Sequence, residues 1–139
     1  AYQRAPGADD PRASFIFEGV DEEVLGNFGL SGGGAAGFEV DRTEPALGTP
    51  SHALVLASAS GYPEGFMLAM EEWLSEDTTW SGPPPEELLR SDMVYFETAN
   101  GGAVFSVGSI SFIGSLPYNN YDNNISTIVD NVLSRFRTQ

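Results

Sequence analysis

Cysteine is missing from this 139-residue chain, and lysine is missing with it. The first absence removes disulfides, thiolate metal sites and cysteine nucleophiles together, and it suits a cytoplasmic protein. Histidine occurs once, as His52. No apolar run approaches the ~20 residues of a membrane span, and the opening AYQRAPGADDPRA lacks the apolar core of a signal peptide. The chain begins on Ala1 rather than Met, as a processed piece or a fragment of something longer would.

Acid dominates what is present. Twenty Asp and Glu face six basic residues, all arginine, for a formal charge of −14. Such a field repels phosphate backbones and anionic bilayers, which argues against nucleic-acid and membrane partners. It reads as a solvated surface, or else as an attraction for cations or a basic partner. Hydrophobic residues at 41% and aromatics at 12% are enough for one domain with a real core.

The stretch GLSGGGAAGFEV (29–40) places Gly32, Gly34 and Gly37 on the spacing G-x-G-x-x-G. That fingerprint carries a dinucleotide only between a strand and a helix whose first amides face the phosphates. Here FEVDRTEP reaches Pro45 within eight residues of the loop, leaving no room for the helix. No acid stands about twenty positions beyond Gly37 to hold a ribose, and a P-loop needs the lysine this chain lacks. The alternative is a backbone that adopts positive φ or passes close to another segment.

Residues 1–13, polar with two prolines, read as a linker or a draped N-terminal segment, and 14–139 as a single α/β domain. SFIFEGV (14–20) reads as a strand, DEEVLGNF as a helical turn and GFEVDRT as a short strand. HALVLASAS (52–60) is the clearest buried strand, and FMLAMEEWLS (66–75) has a helical apolar face. DMVYFETANGGAVFSVGSISFIG (92–114) reads as two strands joined by a type I′ turn at Asn100-Gly101. ISTIVDNVLSRF closes the chain as an amphipathic helix capped by Asn123 or Asn124. Alternating strands and helices indicate an α/β fold, but two firm helices cannot cover both faces of a parallel sheet. Either one face is bare or partner sequence covers it.

Candidates for chemistry are few. His52, at the edge of a buried strand, reads as a structural histidine rather than a triad member. Metal-ligand spacings such as H-x-x-H or an EF-hand loop are absent, and Glu71 and Glu72 read as a solvated helix edge. PYNNYDNN (117–124) either recognises a small polar ligand or satisfies itself while turning into the last helix. Glu39, behind the glycines and between Phe38 and Val40, is either a partly buried acid–base group or a solvent-facing carboxylate.

Several long strings taken together carry a resemblance. LGNFGLSGGGAAGFEVDR, LGTPSHALVLASA, DMVYFETANGGAVFSVGSISFIGSL and NNYDNN with its closing helix resemble the C-terminal domain of the large (beta) subunit of the N,N-dimethylformamidase family. The likeness runs from about Phe15 onward. It implies a flavodoxin-like α/β sheet similar to class I glutamine amidotransferases, without their cysteine, and incomplete here because the chain starts after the domain's first strands. It also implies an iron-dependent amidohydrolase that splits a small formamide into amine and formate. The single iron, held by two tyrosines and a glutamate, belongs to upstream sequence, so Tyr95, Tyr118 and Tyr121 are not assigned as ligands and this chain supplies no metal site. Glu39 is the position matched to the carboxylate that reaches the family's active site. The partners implied are the remainder of the large subunit or a companion chain carrying the iron domain, a small amide substrate, and an oligomeric assembly in which this chain alone is inactive. A non-catalytic assembly or binding module derived from an amidase domain is the alternative.

The glycine reading is directly testable: isothermal titration of the chain with NAD or ATP should show no saturable micromolar binding of either.

Overall fold

The computed structural model describes residues 1–63, 66 and 88–138. The helix expected over 66–75, with Glu71 and Glu72, lies outside the described residues apart from Phe66. So does most of the proline-rich stretch after it.

Five strands form one sheet: β1 (Tyr2–Arg4), β2 (Val24–Leu25), β3 (Leu54–Ala59), β4 (Ser91–Glu97) and β5 (Ala103–Ser106), in the order β2-β1-β3-β4-β5. Every pairing is antiparallel. One α-helix, α1 (Asn124–Phe136), stands among the described residues beside several short 3-10 turns. The protein is therefore an α/β fold built on an antiparallel five-stranded sheet. None of the described pairs is the parallel kind that a flavodoxin-like sheet is made of.

An interior strand, β1, comes from the segment read as a linker. Tyr2 is fully buried and Gln3 pairs with both Val24 and Ser58, so the N-terminus lies between β2 and β3. Two prolines made this segment look extended and polar; three residues of strand are too short to leave a periodic signal. Behind β1, Gly7 passes so close to β3 that a Cβ there would sit 2.3 Å from the Val55 carbonyl oxygen. The pairing of β3 with β4 is bulged between Val55 and Ala57, and on its other side the Leu56 carbonyl accepts from the Ala5 amide at 2.9 Å.

Four local expectations change. SFIFEGV is a 3-10 turn over Ser14–Phe17, not a strand, with Ile16 and Phe17 buried. Its Ile16 and Glu18 carbonyls accept from Asn131 Nδ2 of α1 at 3.1 and 2.8 Å, so tertiary bonds replace strand pairing. DEEVLGNF contains β2 rather than a helical turn, and GFEVDRT contributes one isolated bridge, Val40 to Ser109. The hairpin turn is not type I′, which needs positive φ at both central residues. Only Gly101 is left-handed (φ 82°). Its amide donates to Thr98, whose own amide donates to the Gly102 carbonyl.

β3, β4 and α1 form where the sequence places them. Asn123 is the cap, accepting from the Ser126 amide at 2.9 Å, and Ile125, Ile128 and Val132 are buried. Leu133, on the expected apolar stripe, is exposed.

Tyr2 ties the sheet to the segment after β5. Its hydroxyl donates to the Val107 carbonyl and shares a bond with Ser91 Oγ at 3.2 Å, while its ring meets Phe112 edge-on at 6.4 Å. Burial pushes its pKa far above the ordinary phenol value. Tyr2→Phe keeps the ring and strands a buried carbonyl, so urea denaturation should show a loss of about 1–3 kcal/mol.

Candidate functional site

Glycine-rich sequence has no helix propensity and no side chains to bury, so other segments must hold it. Here the holder is the 3-10 turn Ile110–Ser115 and its serines. Ser115 Oγ donates to the Phe28 carbonyl at 2.7 Å, and the Leu30 amide donates to the Gly114 carbonyl at 3.2 Å. Ser111 Oγ receives the Phe38 amide at 3.0 Å. Ser109 Oγ receives the Gly37 amide at 3.2 Å and donates to the Phe38 carbonyl at 2.9 Å.

Two of the three fingerprint glycines are required by contact. Gly34 is left-handed (φ 64°), and a Cβ there would lie 2.3 Å from the Gly26 carbonyl oxygen. At Gly37 a Cβ would meet Ser111 Oγ at 2.7 Å, whereas Gly32 has open space. No helix follows the loop: it runs from Gly37 to the Val40 bridge, so no row of helix N-terminal amides is presented.

Glu39 stands at the exit of this loop, exposed, between exposed Phe38 and the bridged Val40. Its backbone is left-handed (φ 46°), an uncommon state for a residue with a Cβ, costing roughly 1–2 kcal/mol. Its carboxylate makes no side-chain hydrogen bond among the described residues. The neighbouring bonds hold it there: Val40 pairs with Ser109, and the next amide, Asp41, donates to the Gly108 carbonyl at 2.9 Å.

A buried carboxylate anchors the chain beyond Glu39. Asp92 of β4 accepts from the Thr43 amide and hydroxyl at 2.8 Å each, and from Ser58 Oγ of β3 at 2.7 Å. Arg90 Nε donates to both of its oxygens at 2.8 and 3.0 Å. The Asp92 amide also donates to the Asp41 carbonyl at 2.9 Å. Burial opposes ionisation of this carboxyl, yet the bonds from Arg90, Thr43 and Ser58 outweigh it and hold its pKa below the ordinary value. Sequence reading placed Asp92 at a strand start and saw no role for it. The available signal was an acid opening an apolar strand two residues after an arginine.

The remaining candidates lie elsewhere. His52 Nε2 pairs with the Glu97 carbonyl at 2.9 Å and its ring stands edge-on to Phe96, which is a structural setting. In PYNNYDNN, Asn119, Asn120 and Tyr121 are all left-handed. The amides largely satisfy local backbone: Asn123 Nδ2 donates to Leu116 and Tyr118 carbonyls, and Asn119 Nδ2 to Asp122. Tyr118 stacks on Phe28, with ring centroids 4.4 Å apart.

These residues do not form an iron centre. Among the described residues no three His, Cys, Asp or Glu side chains are grouped to hold a metal. The Tyr95 ring is buried against Phe15, with its phenol pKa raised chiefly by burial, while Tyr118 and Tyr121 are exposed on the turn before α1. Nor, among the described residues, is any helix long and apolar enough to cross a membrane.

The glycine loop, the strand–hairpin core and the entry to α1 all fall within residues 1–123, which match the family described as "N,N-dimethylformamidase beta subunit-like, C-terminal". The chain belongs to that family. It is 41% identical over 136 residues to the N,N-dimethylformamidase beta subunits of Paracoccus aminophilus and of an Alcaligenes species. Each match covers 97% of this chain but 18% of the relative, so the chain spans under a fifth of the length of the curated dimethylformamidase subunits it matches.

Asp92 gives a pH signature. A carboxyl with a depressed folded pKa contributes stability above its unfolded value, and that contribution is lost as pH falls through the folded value. Urea midpoints should therefore drop on acidification below about pH 4. Asp92→Asn should lose about 3 kcal/mol or more at pH 7, because Arg90 and Thr43 keep their donors without the charge, and should show a weaker acid dependence.

Proposed function

We propose that this chain is a component of an iron-dependent amidohydrolase of the dimethylformamidase kind, acting on a small formamide to release amine and formate. Membership of the dimethylformamidase beta-subunit family carries the reading, and in it the iron is held by sequence outside this chain. The rest of the large subunit, or a companion chain, would supply it within a cytoplasmic oligomer. The amidotransferase-like, flavodoxin-like sheet belongs to the same proposal: the antiparallel sheet seen here is one part, completed by upstream strands.

In this reading Glu39 is the catalytic residue contributed by the chain. Its exposed carboxylate, on a left-handed residue held by Ser109 and Gly108 on either side, is presented outward to a site on other sequence. Carboxylate Oε accepts a proton from the attacking water as its oxygen bonds to the formyl carbon. The same proton passes to the amide nitrogen as the C–N bond breaks, leaving the amine and formic acid, which loses its remaining acidic proton to the amine or to water and departs as formate. Fixed geometry suits such a shuttle, since a base must stand within hydrogen-bond reach of the proton it moves.

The second reading, a non-catalytic assembly module, is favoured by the apolar side chains exposed on the chain's own surface. The two separate on one experiment. Glu39→Gln in the native assembly should reduce formamide hydrolysis at least about a hundredfold, with iron content and thermal midpoint unchanged. Full activity in the variant would remove Glu39 from the mechanism. An iron-free native assembly without hydrolysis would support the assembly module.

A further inference from the structure

Four large apolar side chains project from the glycine segment and the serine-bearing turn that holds it: Leu30 is 87% exposed, Ile113 70%, Ile110 59% and Phe38 57%. They form one surface. Leu30 is bonded to Gly114, next to Ile113, and Phe38 is bonded to Ile110. Leu30 Cβ lies 3.7 Å from where a side chain on Gly114 would begin. A monomer's surface seldom groups such residues, and a patch of this kind marks an interaction site.

The border of the patch is acidic. Glu39 and Asp41 follow Phe38 directly, both are exposed, and neither carboxylate is bonded within the described residues. Five of the chain's six arginines are engaged elsewhere. Arg12 pairs with Asp10 and Glu97, Arg42 with Glu44, and Arg90 with Asp92. Arg4 lies over Phe17 and bonds the Val20 carbonyl, and Arg135 lies over Phe15. A second copy of this lysine-free chain with a charge of −14 would bring acid against acid.

We infer that the surface of Leu30, Phe38, Ile110 and Ile113 docks an apolar face bordered by Arg or Lys on the part of the large-subunit assembly that this chain does not span. This rests on the proposed function only in naming the partner. More than four-fifths of each matched subunit's length lies outside the match, which is ample sequence to supply that face. Apolar residues give the contact its burial, and the acid border sets orientation against basic groups. The docking would also deliver Glu39 to its neighbour, since Phe38 and Glu39 are consecutive.

Photo-cross-linking in the native assembly tests it, with Ile113 replaced by benzoylphenylalanine and, as a control, Leu133, which is exposed on α1. The expected result is an Ile113 cross-link to an apolar peptide with Arg or Lys beside it, from outside residues 1–139, and none from Leu133. Hydroxyl-radical footprinting of the unmodified assembly should show Leu30, Phe38 and Ile113 oxidised at least about tenfold more slowly than Leu47 and Leu133, after correction for intrinsic reactivity. Cross-links confined to residues 1–139, within or between copies, overturn the proposal. So does oxidation of the patch at the rate of the two control leucines. Hydrolysis is assayed separately: a cross-linked but inactive assembly keeps this surface and removes the proposed activity, and an active assembly with the patch uncovered does the reverse.

Discussion

A single buried carboxylate governs how this molecule is put together. Asp92 sits where β3, β4 and the chain leaving the glycine loop meet, and it is almost entirely out of water. Leaving a charge there unpaired would cost several kcal/mol, so every neighbour must supply a donor. Ser58 comes from β3, Arg90 from the approach to β4, and Thr43 from the segment that follows Glu39. The same charge that demands these donors fixes where three otherwise separate stretches lie. Its backbone amide adds a fourth tie, to Asp41. The position of Glu39 is thus set between that clamp and the Ser109 bridge, with no secondary structure of its own.

The glycine segment uses the opposite chemistry. Its supports are neutral hydroxyls on a short 3-10 turn, each bonding backbone atoms of the loop. Backbone approaches backbone at Gly34 and the Ser111 side chain at Gly37, so neither position has room for a side chain. Phe112 of the turn and Ala35 and Ala36 of the loop point inward, while the larger apolar side chains on the other face of both segments point outward. Leu30, Phe38, Ile110 and Ile113 are the ones left exposed.

Legibility followed the strength of the local signal. β3 was readable because six consecutive apolar or small residues stand between turn residues, and α1 because its stripe keeps a helical period beside a capping asparagine. SFIFEGV failed because a short apolar run fits a strand and a buried turn equally well. Its choice is made by Asn131, more than a hundred residues away. β1 and β2 are three and two residues long, below the length at which alternation can be seen. The Asn100-Gly101 dipeptide correctly located the hairpin but not its turn, since the Thr98–Gly102 pairing shifts the closure by one residue.

Sequence by itself determined that there would be no thiol chemistry, no lysine and a strongly acidic surface. It also determined the central strands, the closing helix, and membership of the dimethylformamidase beta-subunit family, because composition, local periodicity and long matching strings are properties of the chain alone. It marked Glu39 as the carboxylate of interest without showing how it is held. The tertiary structure decided that the N-terminus is an interior strand and that the sheet's described pairs are all antiparallel. It decided too that Asp92 is a clamp and that Glu39 is left-handed and outward-facing. Each of these depends on atoms brought together across tens of residues, where hydrogen-bond satisfaction in a dry interior outweighs local preference.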